Sequence, residues 1–346
     1  MTRGTVAVAL SGGVDSCVAA LLLKEADYEV MGMNMRLWDS RLFDYQAHRA
    51  ENVCRILDMP YHQIDLQKEF ESCVVDYFCQ EYLKGWTPNP CVACNQHIKF
   101  GLLLDKALSL GADYLATGHY ARVQHSEDGY RLLKAADSGS DQSYFLYTLT
   151  QEKLRHVLFP LGDHSKGEVK QMVKQAGLPA ADRSSQDICF ISQKNYGTFL
   201  SHRFSLPPGD IVDTLGRRLG QHRGIAFYTI GQRHGMGLAS GQPLYVIRIE
   251  PENNRIVLGP ERQLYSQRLS ARRLNWISGK VPREPITAKA KIRYKCKEAE
   301  AILFFRDNSV DVRFAQAQKA VTPGQAIVFY NIDEVLGGGI IYQTEK

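Results

Sequence analysis

The feature that most constrains the fold is a glycine-rich turn near the amino terminus, SGGVDS at residues 11–16. It follows an apolar run at residues 5–10 that predicts a buried strand, and it opens a helical pattern at residues 16–26. Two glycines let the backbone approach an anion, and the free N–H groups of the following helix point towards it. Asp15 would repel a phosphate unless Mg²⁺ lay between them, so we interpret it as a metal-side residue. The turn predicts a phosphate-binding loop, although it matches neither the Walker pattern nor the dinucleotide fingerprint.

Strand and helix patterns alternate over the first 120 residues. The strands are predicted at residues 5–10, 30–34, 61–64 and 114–117, and the helices at residues 16–26, 44–57, 70–83 and 100–110. This alternation predicts an α/β fold with a parallel sheet and helices on both faces. After LPPG at residues 206–209, short strand-like runs separated by Gly and Pro predict a small, mostly β central domain and a carboxyl-terminal β-barrel. We place the domains at residues 1–203, 204–268 and 269–346.

The composition is that of an ordinary globular protein, with 44% hydrophobic and 23% charged residues. No run approaches the roughly 18 apolar residues that a membrane span needs. The amino terminus lacks the pattern of a signal peptide, so we expect a cytoplasmic protein. Eight cysteines in 346 residues are too few for a disulfide framework. No heptad pattern or large apolar stripe stands out, and we expect a monomer.

Positive charge is concentrated in the rear of the chain. Residues 201–346 hold 22 Lys and Arg against 13 Asp and Glu, a net charge of +9, which leaves −4 for residues 1–200. A basic half of this kind favours a polyanionic partner, and a solvated basic surface is the alternative. Within KAKIRYKCK at residues 289–297, every second residue is cationic, and a strand would place all five cations on one face beside Tyr294. Such a face suits an RNA backbone, as do the basic residues upstream, Arg217, Arg218, Arg223 and Arg233.

Three cysteines stand apart from the others. Cys91 and Cys94 lie in TPNPCVACN at residues 87–95, where two prolines predict a stiff, non-helical loop before the next helix. We expect the dipole of that helix to lower the pKa of Cys94, and Lys99 is close in sequence. Cys189 lies 95 residues after Cys94. A C-x-x-C pair is also compatible with a redox pair or half a zinc site, but zinc would need further ligands. The cysteines that we expect to be buried structural residues are Cys17, Cys54, Cys73 and Cys79.

Residues 11–16 resemble the pyrophosphate loop (PP-loop) of the ATP pyrophosphatase superfamily. Five further segments resemble the tRNA-specific 2-thiouridylases, and the resemblance covers nearly the whole chain in the order of that family. They are TPNPCVACNQHIKF at residues 87–100, ATGHYAR at 116–122, DQSYFL at 141–146, ICFI at 188–191 and GQRHGMG at 231–237.

The resemblance implies an ATP-dependent enzyme that replaces oxygen 2 of the tRNA wobble uridine with sulfur. Oxygen 2 would be adenylated, and sulfur would come from a persulfide on Cys189 with Cys94 as nucleophile, giving 2-thiouridine, AMP and pyrophosphate. ATP, Mg²⁺ and a protein persulfide donor are implied, with tRNAs resembling those for Lys, Glu and Gln codons. The residues that the resemblance assigns to ATP are Ala9, Leu10, Ser11, Gly12, Gly13, Val14, Asp15, Ser16, Met35 and Gly118. It assigns Asn89, Pro90 and Cys91 to the target base, and the tRNA contacts to His119, Asp141, Gln142, Ser143, Arg293, Tyr294 and Gln325.

One difference from the sequence pattern of the family leaves the mechanism open. Some members of the family carry Asp where this chain has Cys91. Cys91, Cys94 and Cys189 could therefore hold a [4Fe–4S] cluster with one open iron, which would give the same product by another route. A different PP-loop tRNA-modifying enzyme and a non-catalytic RNA-binding or metal-binding protein are two further hypotheses. The chain has no Cys at position 2, which argues against an amidotransferase.

Overall fold

The computed structural model describes residues 3–38, 41–180, 188–191, 196–238 and 241–345. The first part of the chain contributes seven strands, β1 (Thr5–Ala9), β2 (Glu29–Arg36), β3 (Tyr61–Asp65), β4 (Tyr114–Ala116), β5 (Ala121–Ser126), β6 (Gly129–Lys134) and β7 (Val157–Leu158). Five of them form a parallel sheet in the order β3-β2-β1-β4-β7. This sheet confirms the predicted α/β fold.

Nine α-helices accompany these strands in the described residues. They are α1 (Val14–Glu25), α2 (Arg41–Ile56), α3 (Gln67–Phe70), α4 (Asp76–Leu83), α5 (Pro90–Ala93), α6 (Leu104–Ser109), α7 (Gln151–Leu154), α8 (Lys166–Gln175) and α9 (Tyr196–Arg203). The π-helical segment Glu71–Val75 joins α3 to α4, and the π-helical segment Cys94–Leu103 joins α5 to α6. Two continuous helices result, at residues 67–83 and 90–109.

The parallel sheet separates two hydrophobic cores. Val6 and Val8 of β1 pack with side chains of α1, α2 and α8 on one face. Ala7 packs on the other face with Phe100 and Leu104 from the helix at residues 90–109. Successive side chains of a strand point to opposite faces, so the continuous apolar run of β1 is the pattern of a strand covered on both sides.

Two β modules follow. The first has the strands β8 (Gly209–Asp213), β9 (Arg218–His222), β10 (Tyr245–Glu250) and β11 (Arg255–Gly259) in the order β10-β11-β8-β9. The second has β12 (Tyr265–Trp276), β13 (Ile286–Lys291), β14 (Ala299–Arg306), β15 (Ser309–Lys319), β16 (Ala326–Asn331) and β17 (Glu334–Glu345). These six close into a barrel because β12 pairs with both β15 and β17. The predicted carboxyl-terminal barrel is confirmed.

Two local predictions are wrong. The segment with Cys91 and Cys94 is helical, because Asn89 caps the helix and Pro90 occupies its first position, where proline is favoured. The basic stretch at residues 289–297 is not one strand, because β13 ends at Lys291 and a turn follows. The β5–β6 hairpin, which extends the barrel sheet at β17, was not among the predicted elements.

The helix at residues 90–109 carries Cys91 and Cys94, and we call it the cysteine helix. Thr87, just before this helix, joins the α/β domain to both β modules. Its N–H donates to the carbonyl of Pro323 at 2.9 Å, and its carbonyl accepts from Gln325 Nε2 at 2.8 Å. Its hydroxyl donates to Thr229 Oγ1 of the central module at 3.3 Å. Gly324, with a φ of +91°, packs against the same backbone. The barrel and the central module therefore both fix the chain that leads into the helix at residues 90–109.

Gly324→Ala is expected to loosen this junction. The added Cβ would lie 2.8 Å from Thr87 N in a left-handed conformation that alanine disfavours. We expect a loss of about 3 kcal/mol in the free energy of unfolding of the barrel, measured by urea denaturation. Gly279→Ala is the matched control, because Gly279 has a φ of +70° but no atom within 4 Å of an added Cβ. It should cost only about 1 kcal/mol, and equal losses in the two variants would contradict the packing argument.

Candidate functional site

The glycine-rich loop is held in shape by its own serines. Ser16 Oγ donates to the carbonyl of Gly13 at 3.0 Å and accepts from the N–H of Ser11 at 3.2 Å. Gly12 has a φ of +71°, and a Cβ there would lie 2.8 Å from the carbonyl oxygen of Gln46. Gly13 precedes α1 and has no side chain to cap it. The first N–H groups of α1 are therefore available to an anion, as the sequence predicted.

Two residues from the segment after β4 complete the loop. Gly118 packs directly onto the first turn of α1, where an added Cβ would lie 2.7 Å from Asp15 C and 2.8 Å from Ser16 N. The Tyr120 hydroxyl donates to Asp15 Oδ1 at 2.8 Å. Burial raises the pKa of Tyr120, so the phenol keeps its proton and orients the Asp15 carboxylate. Sequence reasoning did not single out Tyr120, although it lies two residues after Gly118.

The loop lies where the strand order of the sheet reverses. β1 pairs with β2 on one side and β4 on the other, which is the switch point where open α/β sheets bind ligands. Ala9 pairs with Met33, so Met35 lies two residues further along the neighbouring strand. Asn34 Nδ2 donates to the carbonyl of Leu10 at 2.7 Å and fixes the exit of β1. The fold thus gathers the predicted nucleotide residues Ala9, Leu10, Ser11, Gly12, Gly13, Val14, Asp15, Ser16, Met35 and Gly118 at one edge.

The cysteine helix starts at a well-capped end. Asn89 Oδ1 accepts from the N–H groups of Cys91 at 3.2 Å and Val92 at 3.4 Å. Cys91 reaches the surface, whereas Cys94, three residues on, is buried. Tyr144 contacts the Asn89 side chain and donates its hydroxyl to the carbonyl of Ala326 at 2.8 Å. The start of the helix is thereby tied to the barrel as well.

Cys189 meets this helix from a distant part of the sequence. Its neighbours Phe190 and Ile191 are buried in the same hydrophobic cluster as Cys94, and Ile188 packs against that cluster. Cys189 itself reaches solvent. Its thiol interacts electrostatically with Cys94 and Cys91, so three thiols from two segments share one site. The structure therefore brings the two predicted catalytic cysteines together.

Desolvation favours the protonated form of all three thiols, although Cys91 and Cys189 reach the surface. Burial raises the pKa of Cys94 to about 11 and that of Cys189 to about 12, and it also raises the pKa of Cys91. Lys99 partly opposes each of these rises. The prediction that a helix dipole lowers the pKa of Cys94 is wrong, because desolvation of the thiolate outweighs the attraction of nearby positive charge.

His119 lies between the nucleotide loop and the cysteines. It directly follows Gly118, its ring lies 5.8 Å from the ring of Phe100, and it shares a hydrogen bond of 2.7 Å with Thr117 Oγ1. Only 9% of His119 is exposed. Burial lowers its pKa well below the usual value, so the imidazole is neutral.

The loop at residues 141–143, which the family resemblance assigns to tRNA, is engaged within the chain. Asp141 is buried and accepts from the N–H of Ala135 at 3.1 Å and from Ser143 Oγ at 2.9 Å. Gln142 Oε1 accepts from the N–H of Tyr120 at 3.0 Å. This loop therefore fixes the backbone beside Tyr120.

Of the barrel residues that the resemblance assigns to tRNA, Tyr294 lies beside the segment that follows this loop. The ring of Tyr294 is 4.4 Å from the ring of Phe145 and 6.1 Å from that of Tyr144. Arg293 is exposed and donates to Cys296 Sγ at 2.7 Å. Gln325 donates to the carbonyl of Thr87. These residues border the start of the cysteine helix, which contains Pro90.

The cysteines do not fit a metal cluster in this structure. Among the described residues, which include Cys91, Cys94 and Cys189, no group of three or more His, Cys, Asp or Glu side chains is arranged to hold a metal ion. Cys94 and Cys189 are both free thiols. We also find no helix in the described ranges that is long and apolar enough to cross a bilayer.

The parallel sheet with its phosphate loop at the switch point defines a nucleotide-binding α/β domain, to which two β modules are attached. The family model described as the tRNA methyl transferase HUP domain matches residues 4–193. Models for the PRC-barrel domain of the same name and the aminomethyltransferase β-barrel domain match residues 197–260 and 266–341.

Curated relatives identify the family. A protein of Caldanaerobacter subterraneus named tRNA-specific 2-thiouridylase MnmA 1 is 48% identical, covering 97% of this chain and 97% of its own length. One of Acetivibrio thermocellus named tRNA-specific 2-thiouridylase MnmA is 46% identical, covering 99% of this chain and all of its own. This chain belongs to the tRNA-specific 2-thiouridylase family. A solved 4-thiouridine synthetase–RNA complex with bound ATP is 16% identical over 58% of this chain and 50% of its own, with a TM-score of 0.36.

Gly118→Ala is expected to block the phosphate loop. The new Cβ would collide with the backbone of Asp15 and Ser16, which cannot move without distorting α1. We expect ATP affinity, measured by calorimetry, to fall at least about tenfold, since even about 1.4 kcal/mol of distortion has that effect. Gly241→Ala is the control, because an added Cβ there meets no atom within 4 Å. Unchanged ATP affinity in Gly118→Ala would contradict this assignment of the loop.

Proposed function

We propose that this protein catalyses ATP-dependent 2-thiolation of the wobble uridine of tRNAs for Lys, Glu and Gln, using a protein persulfide donor and acting as a monomer. The observation that carries the proposal is that Cys189 lies beside Cys94, although they are 95 residues apart in sequence: Phe190 and Ile191 share a hydrophobic cluster with Cys94, and the Cys189 thiol interacts with the Cys94 thiol. His119, which follows Gly118 at the phosphate loop, packs against Phe100 of the helix that carries Cys94. The names of the curated relatives agree with this substrate and reaction.

The first step activates the uracil oxygen. Oxygen 2 attacks the α-phosphorus of ATP, a P–O bond forms, and pyrophosphate leaves with the electron pair of the broken bond. The N–H groups at the start of α1 and the hydroxyls of Ser11 and Ser16 would hold the pyrophosphate as charge builds on it. Asp15, oriented by Tyr120, would hold Mg²⁺, which supplies charge neutralisation when bound. The product is a uridine whose oxygen 2 leaves readily as AMP.

Sulfur transfer then uses the two cysteines in sequence. The terminal sulfur of a Cys189 persulfide attacks carbon 2, a C–S bond forms, and AMP leaves with the oxygen. The base is now joined to Cys189 through a disulfide. Cys94 thiolate attacks the sulfur of Cys189, which releases 2-thiouridine and leaves a Cys94–Cys189 disulfide. A dithiol reductant must restore both thiols before the next cycle.

Substitutions of the individual cysteines distinguish the persulfide mechanism from a mechanism that uses a [4Fe–4S] cluster. Cys189→Ser should lower 2-thiouridine formation at least about 10³-fold, because the sulfur carrier is removed. Cys94→Ser should instead accumulate tRNA joined to the protein through a reducible bond. The products are measured by nucleoside mass analysis and by gel shift with and without reductant.

Two further cysteine variants serve as controls for these measurements. Cys73→Ser removes a half-buried thiol outside the site and should retain activity. Cys91→Ser should also retain activity by the persulfide route, whereas a cluster held by three cysteines would lose both its iron and its activity. Full activity in Cys189→Ser would exclude the proposed route.

The barrel offers an exposed cationic face for the tRNA backbone. Lys289 is exposed and Lys291 half-buried, and they alternate along β13 with the buried residues Ala288 and Ala290. Lys291 Nζ lies 5.5 Å from the centre of the Tyr294 ring, which places this charge beside the site. The position of these lysines supports a phosphate contact that leads the anticodon arm towards the cysteines.

Replacing Lys289 and Lys291 together with Ala should weaken tRNA binding and make it less sensitive to salt. The slope of log Kd against log salt concentration should fall by about 2, because each lysine would neutralise one phosphate in the wild type. Filter binding over a salt series measures this slope. Lys280→Ala, an exposed lysine in the loop before β13, should leave the slope unchanged. An unchanged slope in the double variant would exclude this face as the RNA contact.

A further inference from the structure

Lys99 lies on the same side of its helix as Cys94 because of the π-helical segment Cys94–Leu103. In an α-helix, a residue five positions on is rotated by about 140° from the first. In a π-helix the backbone bonds connect residues five apart, so such residues lie one above the other. The N–H of Leu104 bonds to the carbonyl of Lys99, which shows this longer spacing directly. The unusual helix therefore turns Lys99 towards the thiols.

Three chain segments converge on this lysine. Cys91 and Cys94 lie on its own helix, His119 follows β4, and Cys189 belongs to the segment at residues 188–191. The contact between the rings of Phe100 and His119 places the end of β4 at the level of Lys99. The positive charge of Lys99 lowers the pKa of each of these four groups.

Among the residues that the structure describes, Lys99 lacks the carboxylate partner that a partly buried cation usually has. Over the described ranges of the chain, no Asp or Glu forms an ion pair with it. Within the described part of the chain, the titratable groups that act on the three thiols are the thiols themselves and Lys99, and no carboxylate is among them. The neutral His119 adds no charge of either sign. The described part of the site thus presents the positive charge of Lys99, without a paired carboxylate, to three sulfur atoms.

We propose that Lys99 stabilises the anionic sulfur during transfer, namely the terminal sulfur of the Cys189 persulfide and the Cys94 thiolate that later attacks it. The identity of these anions rests on the proposed function. Burial disfavours the anionic form of sulfur at this site, and a nearby positive charge opposes that effect. A cation at this position offsets the desolvation of the anion.

The direct test is the pH dependence of thiol alkylation in the ligand-free protein. Iodoacetamide labelling of Cys94 and Cys189 is followed separately by peptide mass analysis. Lys99→Met should raise the midpoint of the labelling profile by about one pH unit and slow labelling at pH 8 about tenfold. Lys99→Arg keeps the charge and should follow the wild type. Lys106→Met removes an exposed lysine from α6 and is the matched control.

A second measurement separates a charge effect from a structural one. In single-turnover thiolation, Lys99→Met should shift the acid limb of the rate–pH profile upwards, with unchanged Kd for tRNA and ATP. Lys99→Gln serves in the same assays if the Met variant does not fold. Unchanged labelling and rate profiles in a folded, uncharged variant would overturn the role of Lys99. A shifted labelling profile in a protein that makes no 2-thiouridine would instead retain Lys99 and reject the proposed function.

Discussion

The backbone of Thr87 is the point on which the arrangement of the site depends. Its N–H and carbonyl are both bonded to the barrel, and its hydroxyl is bonded to the central module. Two residues later Asn89 caps the helix that carries Cys91 and Cys94. The position of that helix relative to the barrel is therefore fixed by direct hydrogen bonds. An RNA held by the barrel would be presented to the cysteines in one orientation.

The same helix resolves a conflict between burial and reactivity. Packing Cys94 in a hydrophobic cluster brings it to Cys189, but it also raises the pKa of both thiols above the neutral range. Burial shields Cys94 from solvent, and a desolvated thiol reacts only when its anion is stabilised. The π-helical segment supplies that charge by turning Lys99 towards them. Protection and activation thus come from one helix.

Much of the nucleotide half could be predicted from the sequence. The loop at residues 11–16 and the strands around it depend on local patterns, namely an apolar run, two glycines and a helical periodicity. The helical structure of the segment with Cys91 and Cys94 was not predicted from the sequence. Pro90 suggested a break, whereas in the structure it is the first residue of a helix, because Asn89 can satisfy the free N–H groups there. The basic stretch is not one strand because β13 ends at Lys291 and a turn follows.

The sequence by itself determined which chemistry the chain carries: a phosphate loop, three distinctive cysteines and a basic barrel. Only the tertiary structure decided how these parts act together. Cys189 reaches Cys94 through the packing of Phe190 and Ile191, a contact between residues far apart in sequence. The ionisation of the thiols depends on burial, which no local pattern encodes. Local order follows from neighbouring residues, whereas desolvation and charge at a site depend on every segment that packs around it.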